Sequence, residues 1–459
     1  MVAILLAGCA RFQDKPLAAA GTAADFEARS LNDTGLRRFI ETNLHPQVTL
    51  WNLPALTLVA LYFHPDMDVA RAQWGIARAG KVKAGERPNP TLSVTPGRSV
   101  TPTDAVSPWL TVATLDIPIE TAGKRDKRIA QATHLSEAAR LAVAVTAWQV
   151  RSRVRSRLLD FYAATRTEEL LRQQQAAQTA VAKLLQSQLD AGAISPFEVT
   201  QARVALRNAS LSLNEAQRQR AEARVSLADA LGLPARALDG VAISFEGLDR
   251  VPTPIFGSAD VRRQALRGRA DTLSALSDYA ASQSALQLEI AKQYPDVHIG
   301  PGYEYDQGNS KWSLGLSVEL PAFNQNQGGI AEARARREES AARFVALQAK
   351  VVGEIDRALA GYQAALEKTA TADALLADQQ ERRKLAQRMF EAGETARLEA
   401  ATAELELHTA DLARLDALVK AQQALGALED AVQRPLDPTA VAVVVPENDP
   451  RSENARTIK

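Results

Sequence analysis

The sequence predicts a mainly α-helical chain with a transmembrane β part, built from a duplicated unit of two strands, a very long helix and a return helix. Three observations carry that prediction. The chain overlays on itself: Ile129 and Ile330, Phe161 and Tyr362, and Leu184 and Leu385 are pairs 201 residues apart, and LDAG at Leu189 to Gly192 matches FEAG at Phe390 to Gly393 at the same offset. A seam with alternating steps of four and three residues runs from Ala358 through Tyr362, Ala365, Thr369, Ala372, Leu376, Gln379, Arg383 and Ala386 to Phe390, the mark of a supercoiled helix. Lys311 to Leu320 alternates strictly, with Trp312, Leu314, Leu316, Val318 and Leu320 on one face and Ser313, Gly315, Ser317 and Glu319 on the other.

Each element follows in order. Met1 to Gly8 is a short apolar run that ends at the only cysteine, Cys9, and Leu6-Ala7-Gly8-Cys9 has the form of a lipoprotein processing box. Residues 1–8 are therefore expected to be a signal remnant, although no basic residues open it. Cys9 is expected to carry lipid, each buried CH₂ of which adds about 0.8 kcal/mol of membrane affinity. Residues 9–56 are expected to form an extended strap. The first repeat, 57–231, contains a helix at 65–88, strands near 91–96 and 109–119, and helices at 124–191 and 195–231. A linker punctuated by Pro234, Pro252 and Pro254 fills 232–258. The second repeat, 259–434, contains a helix at 259–293, strands near 296–305 and 311–320, and helices at 327–392 and 396–430. Residues 435–459, rich in proline and charge, are expected to be disordered.

Lys124 to Ala191 would be about 100 Å long, deeper than any ordinary globular core. Gly192 and Gly393 sit where a left-handed cap ends each long helix, and Pro196 suits the first turn of the helix that follows. In the strands, Trp109, Leu115 and Ile117 alternate with Leu110, Thr114 and Asp116, and Val297, Ile299, Tyr303 and Tyr305 oppose His298, Gly300, Gly302 and Glu304. Trp109, Leu115, Ile117, Trp312, Leu314, Leu316 and Val318 are thus the expected lipid-facing set of a membrane barrel. Four strands leave two open edges, which hydrocarbon does not tolerate, so copies must pool their strands. Two copies give eight strands, an interior filled by side chains, while three give twelve and a lumen. The fold class expected is a trimer with a 12-stranded β-barrel on a 12-helix coiled-coil tunnel.

Composition narrows the function. With 54 basic and 54 acidic side chains among 459 residues, the net charge is zero, and no phosphate-seeking field exists for nucleic acid. One cysteine forbids an intrachain disulfide, and His45, His64, His134, His298 and His408 are too scattered to form local metal-ligand pairs. No nucleophile elbow, phosphate loop or acid/base pair emerges, so an enzyme is not expected, and neither a metal nor a cofactor is called for.

The duplicated order, with DIPIETAGKRDKRIAQA at Asp116 to Ala132, ELPAFNQNQGGIAEARA at Glu319 to Ala335 and two tips ending in Ala-Gly, resembles the TolC-like outer-membrane efflux family. Within it, the lipid-anchored heavy-metal and drug efflux channels look most similar. The resemblance spans nearly all of Thr57 to Arg434. It implies a passive homotrimeric conduit in the outer membrane of a Gram-negative bacterium, with its helices in the periplasm. It also implies partners, a periplasmic adaptor (membrane fusion protein) and an inner-membrane transporter. The family places a carboxylate six residues beyond the tip glycine, at the closed aperture; here these are Glu399 and Glu198, with Arg397 nearby. Thr395 and Thr402 stand where the family often has a basic gate residue and an aspartate. The tips around Gly192 and Gly393 would dock the adaptor. An acidic ring from three copies of Glu399 would favour cations. Two alternatives remain: a channel for protein or peptide secretion, and a lipid-tethered periplasmic coiled-coil adaptor or scaffold.

Overall fold

A computed structural model describes residues 12–44, 50–100, 106–251 and 258–436. Cys9, residues 1–8 and nearly all of the expected tail lie outside the described residues. The elements run α1 (Ala19–Glu27), α2 (Thr34–Asn43), α3 (Leu53–Phe63), α4 (Pro65–Ala84), β1 (Thr91–Arg98), β2 (Trp109–Ile119), α5 (Lys124–Asp190), α6 (Pro196–Leu231), α7 (Ser258–Gly268), α8 (Ala270–Ala291), β3 (Val297–Asp306), β4 (Asn309–Val318), α9 (Gln327–Glu391) and α10 (Arg397–Val432).

Two expectations need correction. The extended strap expected over 9–56 is helical over much of its described part, because α1, α2 and the start of α3 fall within it. Asp33 caps α2 by accepting from the Leu36 amide at 2.8 Å, and Asn52 caps α3 by accepting from the Ala55 amide at 3.2 Å. The helix expected over 259–293 is two helices, because Arg269 adopts an extended conformation (φ −67, ψ 131) directly after Gly268.

The long helices α5 and α9, of 67 and 65 residues, pair with their return helices α6 and α10. Since α10 also packs on α5, the lower helices lie in the order α6, α5, α10, α9. Above them α8 packs between α5 and α9, and α4 packs against α5. The main apolar core forms where α2 and α3 cover the middle of α5, with Leu36, Leu56, Val59 and Leu61 against Val150, Val154, Leu158 and the end of α6. Burying each such side chain contributes about 1.5–3 kcal/mol. This core makes a thick waist on an otherwise rod-like bundle.

The repeat seam is visible in α9, where Ala358, Tyr362, Thr369, Ala372 and Ala386 are buried; Arg383 is exposed. The ends of α6 and α10 also correspond. Gly232 has φ +71, with its amide bonded to Asp229 O and the Leu233 amide to Ala228 O. The position 201 residues later is Gln433, also left-handed at φ +51 and with the same pattern of bonds. A Cβ on Gly232 would lie 2.8 Å from Phe63 O, so α3 closes tightly over the first junction. At the second, the Gln433 side chain accepts instead from the Ala270 amide at 3.0 Å. Arginines satisfy the outgoing carbonyls: Arg29 donates to Gly232 O and Phe63 O at 2.9 and 2.8 Å, and Arg269 to Ala431 O at 2.6 Å.

The strands form one antiparallel sheet in the order β1-β2-β3-β4. Gln307 and Gly308, both at positive φ, make the two-residue turn between β3 and β4.

Candidate channel wall, waist and hairpin tips

Register assigns every strand residue to a face. Ile117 pairs with Ile299 and Ile299 with Leu316; Ala113 pairs with Tyr303 and Tyr303 with Trp312; Leu92 pairs with Leu115. One face therefore carries Leu92, Val94, Trp109, Leu115, Ile117, Ile119, Val297, Ile299, Tyr303, Trp312, Leu314, Leu316 and Val318, with Arg98 its only charge. Tyr303 and Trp312 stack with centroids 4.9 Å apart, and Arg98 lies over the Trp109 ring. All of the expected lipid-facing residues fall on this face. Trp312, Leu314 and Leu316 are 81%, 76% and 73% exposed, so nothing among the described residues covers them.

The opposite face is mainly polar, with Ser93, Thr114, Asp116, His298, Gly300, Gly302, Glu304, Asp306, Lys311, Ser313, Gly315 and Ser317, and has Leu110, Val112 and Pro118 on β2 as apolar members. Lys311 pairs with Asp306 at 2.8 Å, and His298 Nδ1 lies 3.0 Å from both carboxylate oxygens of Asp116. At the foot of the sheet Lys124 holds Asp296 at 2.7 Å and Arg128 holds Glu120 at 2.6 Å, which fixes the strands to the top of α5.

The waist holds a polar network that the sequence did not disclose. Arg151 donates to Glu429 at 3.1 Å, Arg155 donates to Gln422 O at 2.9 Å, and Gln422 donates to the carbonyls of Gly247 and Arg250. Trp148 and Ser152 both donate to the Asp430 carboxylate, at 2.9 and 2.6 Å. Burial pushes the Asp430 carboxyl above its ordinary value, and the hydrogen bonds from Ser152 and Trp148 only partly offset this. Burial likewise lowers Arg155, against the pull of Glu429. Burial would lower Arg269 too, but its bonds to Asp271 and Glu354 outweigh that and hold it above the ordinary value. The network ties α5 of one repeat to α10 of the other. The only sequence signal was charge at positions a helical seam would otherwise fill with apolar residues.

At the tips the two halves share one backbone design. Gly192, at φ +73, donates to Leu189 O while Ala193 donates to Gln188 O; Gly393, at φ +77, donates to Phe390 O while Glu394 donates to Met389 O. Both are Schellman caps. The side chains differ. Glu198 turns back onto its own helix, accepting from the Ser195 amide at 3.2 Å in a capping box. Glu399 and Arg397 are exposed, without a side-chain partner among the described residues. Arg414 bonds Asp373 at 2.7 Å, leaving Glu399 free of it. Thr402 donates to Leu398 O, and the Thr395 hydroxyl is buried without a hydrogen-bond partner among the described residues.

No helix among the described residues is long and apolar enough to cross a membrane, and no group of three or more potential metal ligands occurs among them. Comparison with known proteins agrees with the architecture. The chain is 25% identical over 270 residues to the cobalt-zinc-cadmium resistance protein CzcC of Cupriavidus metallidurans. That match covers 58% of this chain and 62% of the relative's own length. Solved structures share the fold: CusC (TM-score 0.67, 18% identity, 83% of this chain and 91% of that one), OprN (0.70, 19%, 94% and 99%) and VceC from Vibrio cholerae (0.68, 18%, 84% and 97%). The outer membrane efflux protein profile matches residues 59–233 and 261–432, one span for each repeat, and the chain belongs to that family, whose members are channels and not enzymes.

Proposed function

We propose that three copies of this chain form an outer-membrane conduit of a tripartite efflux pump, exporting small toxic solutes, with divalent heavy-metal cations the leading cargo. The carrying observation is the sheet: one face apolar and uncovered, the other polar, and both edges open. Such a sheet is stable in hydrocarbon only when other copies complete it. The helices have matching open sides, because the order α6, α5, α10, α9 ends on α6 and α9. On α6, Phe197, Val204, Leu211 and Val225 are exposed at steps of seven, seven and fourteen residues, a second seam with no partner among the described residues. Head-to-tail contact of α6 with α9 of the next copy closes a ring.

In this arrangement Trp109, Leu115, Ile117, Trp312, Leu314, Leu316 and Val318 face lipid. The tips at Gly192 and Gly393 meet a periplasmic adaptor, and the adaptor joins an inner-membrane transporter. Glu399, unengaged, lines the aperture with Arg397 beside it, while Glu198 serves its helix cap first. Cys9 carries lipid. Heavy-metal cargo is favoured by the relative named for cobalt, zinc and cadmium resistance. The test is the mass of the detergent-extracted protein together with zinc, cobalt and cadmium tolerance of cells lacking and regaining it. A stable detergent-free monomer overturns the proposal, and tolerance unaffected by its loss removes the metal cargo.

A further inference from the structure

We infer that His298 is a contact site for borderline divalent cations such as Zn²⁺ and Co²⁺ on the polar face of the sheet, with Asp116 as its positioning residue; this rests on the proposed channel. His298 Nδ1 is 3.0 Å from both oxygens of Asp116, so the carboxylate accepts the Nδ1 proton and fixes the tautomer. The lone pair is then on Nε2, for which no partner is present among the described residues. A carboxylate bonded to the far nitrogen is the arrangement that orients metal-binding histidines. Imidazole nitrogen selects Zn²⁺ and Co²⁺ over Mg²⁺.

Access and charge favour the same ligand. The imidazole and carboxylate are 41% and 50% exposed. Across the strands from His298 stand Pro118 and Ser317, and one step along the same face Gly300 and Gly315 lie opposite each other without side chains, so a hydrated cation can approach from that side. The strands of this face carry Asp116, Glu304 and Asp306 against Lys311, which pairs with Asp306, and just below His298 Asp296 is held by Lys124, so the carboxylates of the face outnumber its cations and favour cation approach. With one imidazole from each chain and water completing the shell, binding is weak and quickly reversed, as transit demands.

The experiment is acylation of the full-length protein in lipid vesicles by diethyl pyrocarbonate, read at each histidine by peptide mass spectrometry. Zn²⁺ is expected to protect His298 while equal Mg²⁺ does not, and Asp116→Asn is expected to need about ten to a hundred times more Zn²⁺ for the same protection. Equal modification of His298 with and without Zn²⁺ overturns the site and leaves the channel intact. Equal protection of wild type and Asp116→Asn overturns the positioning role. A His298 that reacts only after the vesicles are dissolved places this face against lipid and sinks the channel as well.

Discussion

Arg151 and Glu429 meet at 3.1 Å from positions 278 residues apart, with 7% and 4% of their side chains exposed. Arg155 approaches the same carboxylate at 3.4 Å, so one buried anion serves two buried cations. Removing a single member of such a group costs far more than the group is worth as a whole, because the remaining charges stay desolvated. Glu429→Ala is expected to destabilise by about 3–5 kcal/mol. The triple change Glu429→Leu with Arg151→Met and Arg155→Met should cost less than the single one. Unfolding in denaturant, followed by circular dichroism, gives both values.

Asp430 gives the waist a pH dependence of definite sign. Its carboxyl is raised in the folded state by burial, so at pH between the unfolded and the folded value the folded chain binds more proton than the unfolded one. The associated stability is complete below the unfolded value of about 3.9 and is lost as pH rises through the elevated folded value. Asp430→Asn should flatten that limb in a plot of melting temperature against pH, while the oppositely shifted Asp271, held low by Arg269 against its burial, still contributes in the mutant.

Gly232 and Gly192 separate the cost of backbone strain from that of steric conflict. Both are left-handed, but a Cβ at 192 meets open space whereas at 232 it strikes Phe63 O at 2.8 Å. Gly192→Ala should cost about 1–2 kcal/mol, the penalty of the left-handed conformation alone. Gly232→Ala should cost clearly more, and should loosen α3, detectable as faster amide exchange over Leu53–Phe63.

The two tip glutamates should part company. Glu198→Ala removes the capping box and is expected to cost about 0.3–1.5 kcal/mol with little effect on ion preference. Glu399→Gln should leave the melting temperature unchanged. If it lines the aperture, it should lower cation over anion permeability, measured as a reversal potential in planar bilayers under a salt gradient.

The faces of the sheet predict opposite tolerance for charge. Leu316→Arg should cost about 2–4 kcal/mol if its face meets the bilayer midplane, and should deplete the protein from the outer-membrane fraction. Ser313→Arg, on the polar face, should insert normally.

Much of this was legible because the informative signals are periodic. Alternation in Lys311–Leu320 gave both faces, and the 201-residue offset gave the hairpins and their glycines. The N-terminal arm was misread for identifiable reasons. Helix α1 has no buried residue, so no apolar stripe marks it, and α3 is apolar on every side, so no period distinguishes it from a strand. Helix α2 was readable, since Asp33 stands as a cap ahead of Leu36, Phe39 and Ile40. Charge at seam positions hinted at the waist network, but its pairings were beyond reach because Arg151, Arg155 and Gln422 find their partners across the duplication, where local spacing carries no information. At the tips, sequence named Glu198 and Glu399 alike; only coordinates reveal that one is occupied and the other idle.

Gly232 and Gln433 share a backbone shape but not a neighbour. Phe63 crowds the former and leaves no room for a side chain, while the latter uses its amide to hold the start of α8. A ring of three copies, as proposed, would therefore have six similar staves yet only threefold sameness, since every second stave bears the N-terminal collar. A chain reduced to either half could not stand in for the other. Two fused copies of the second half would lack a seat for the collar, because glutamine would occupy the place where α3 must come to rest.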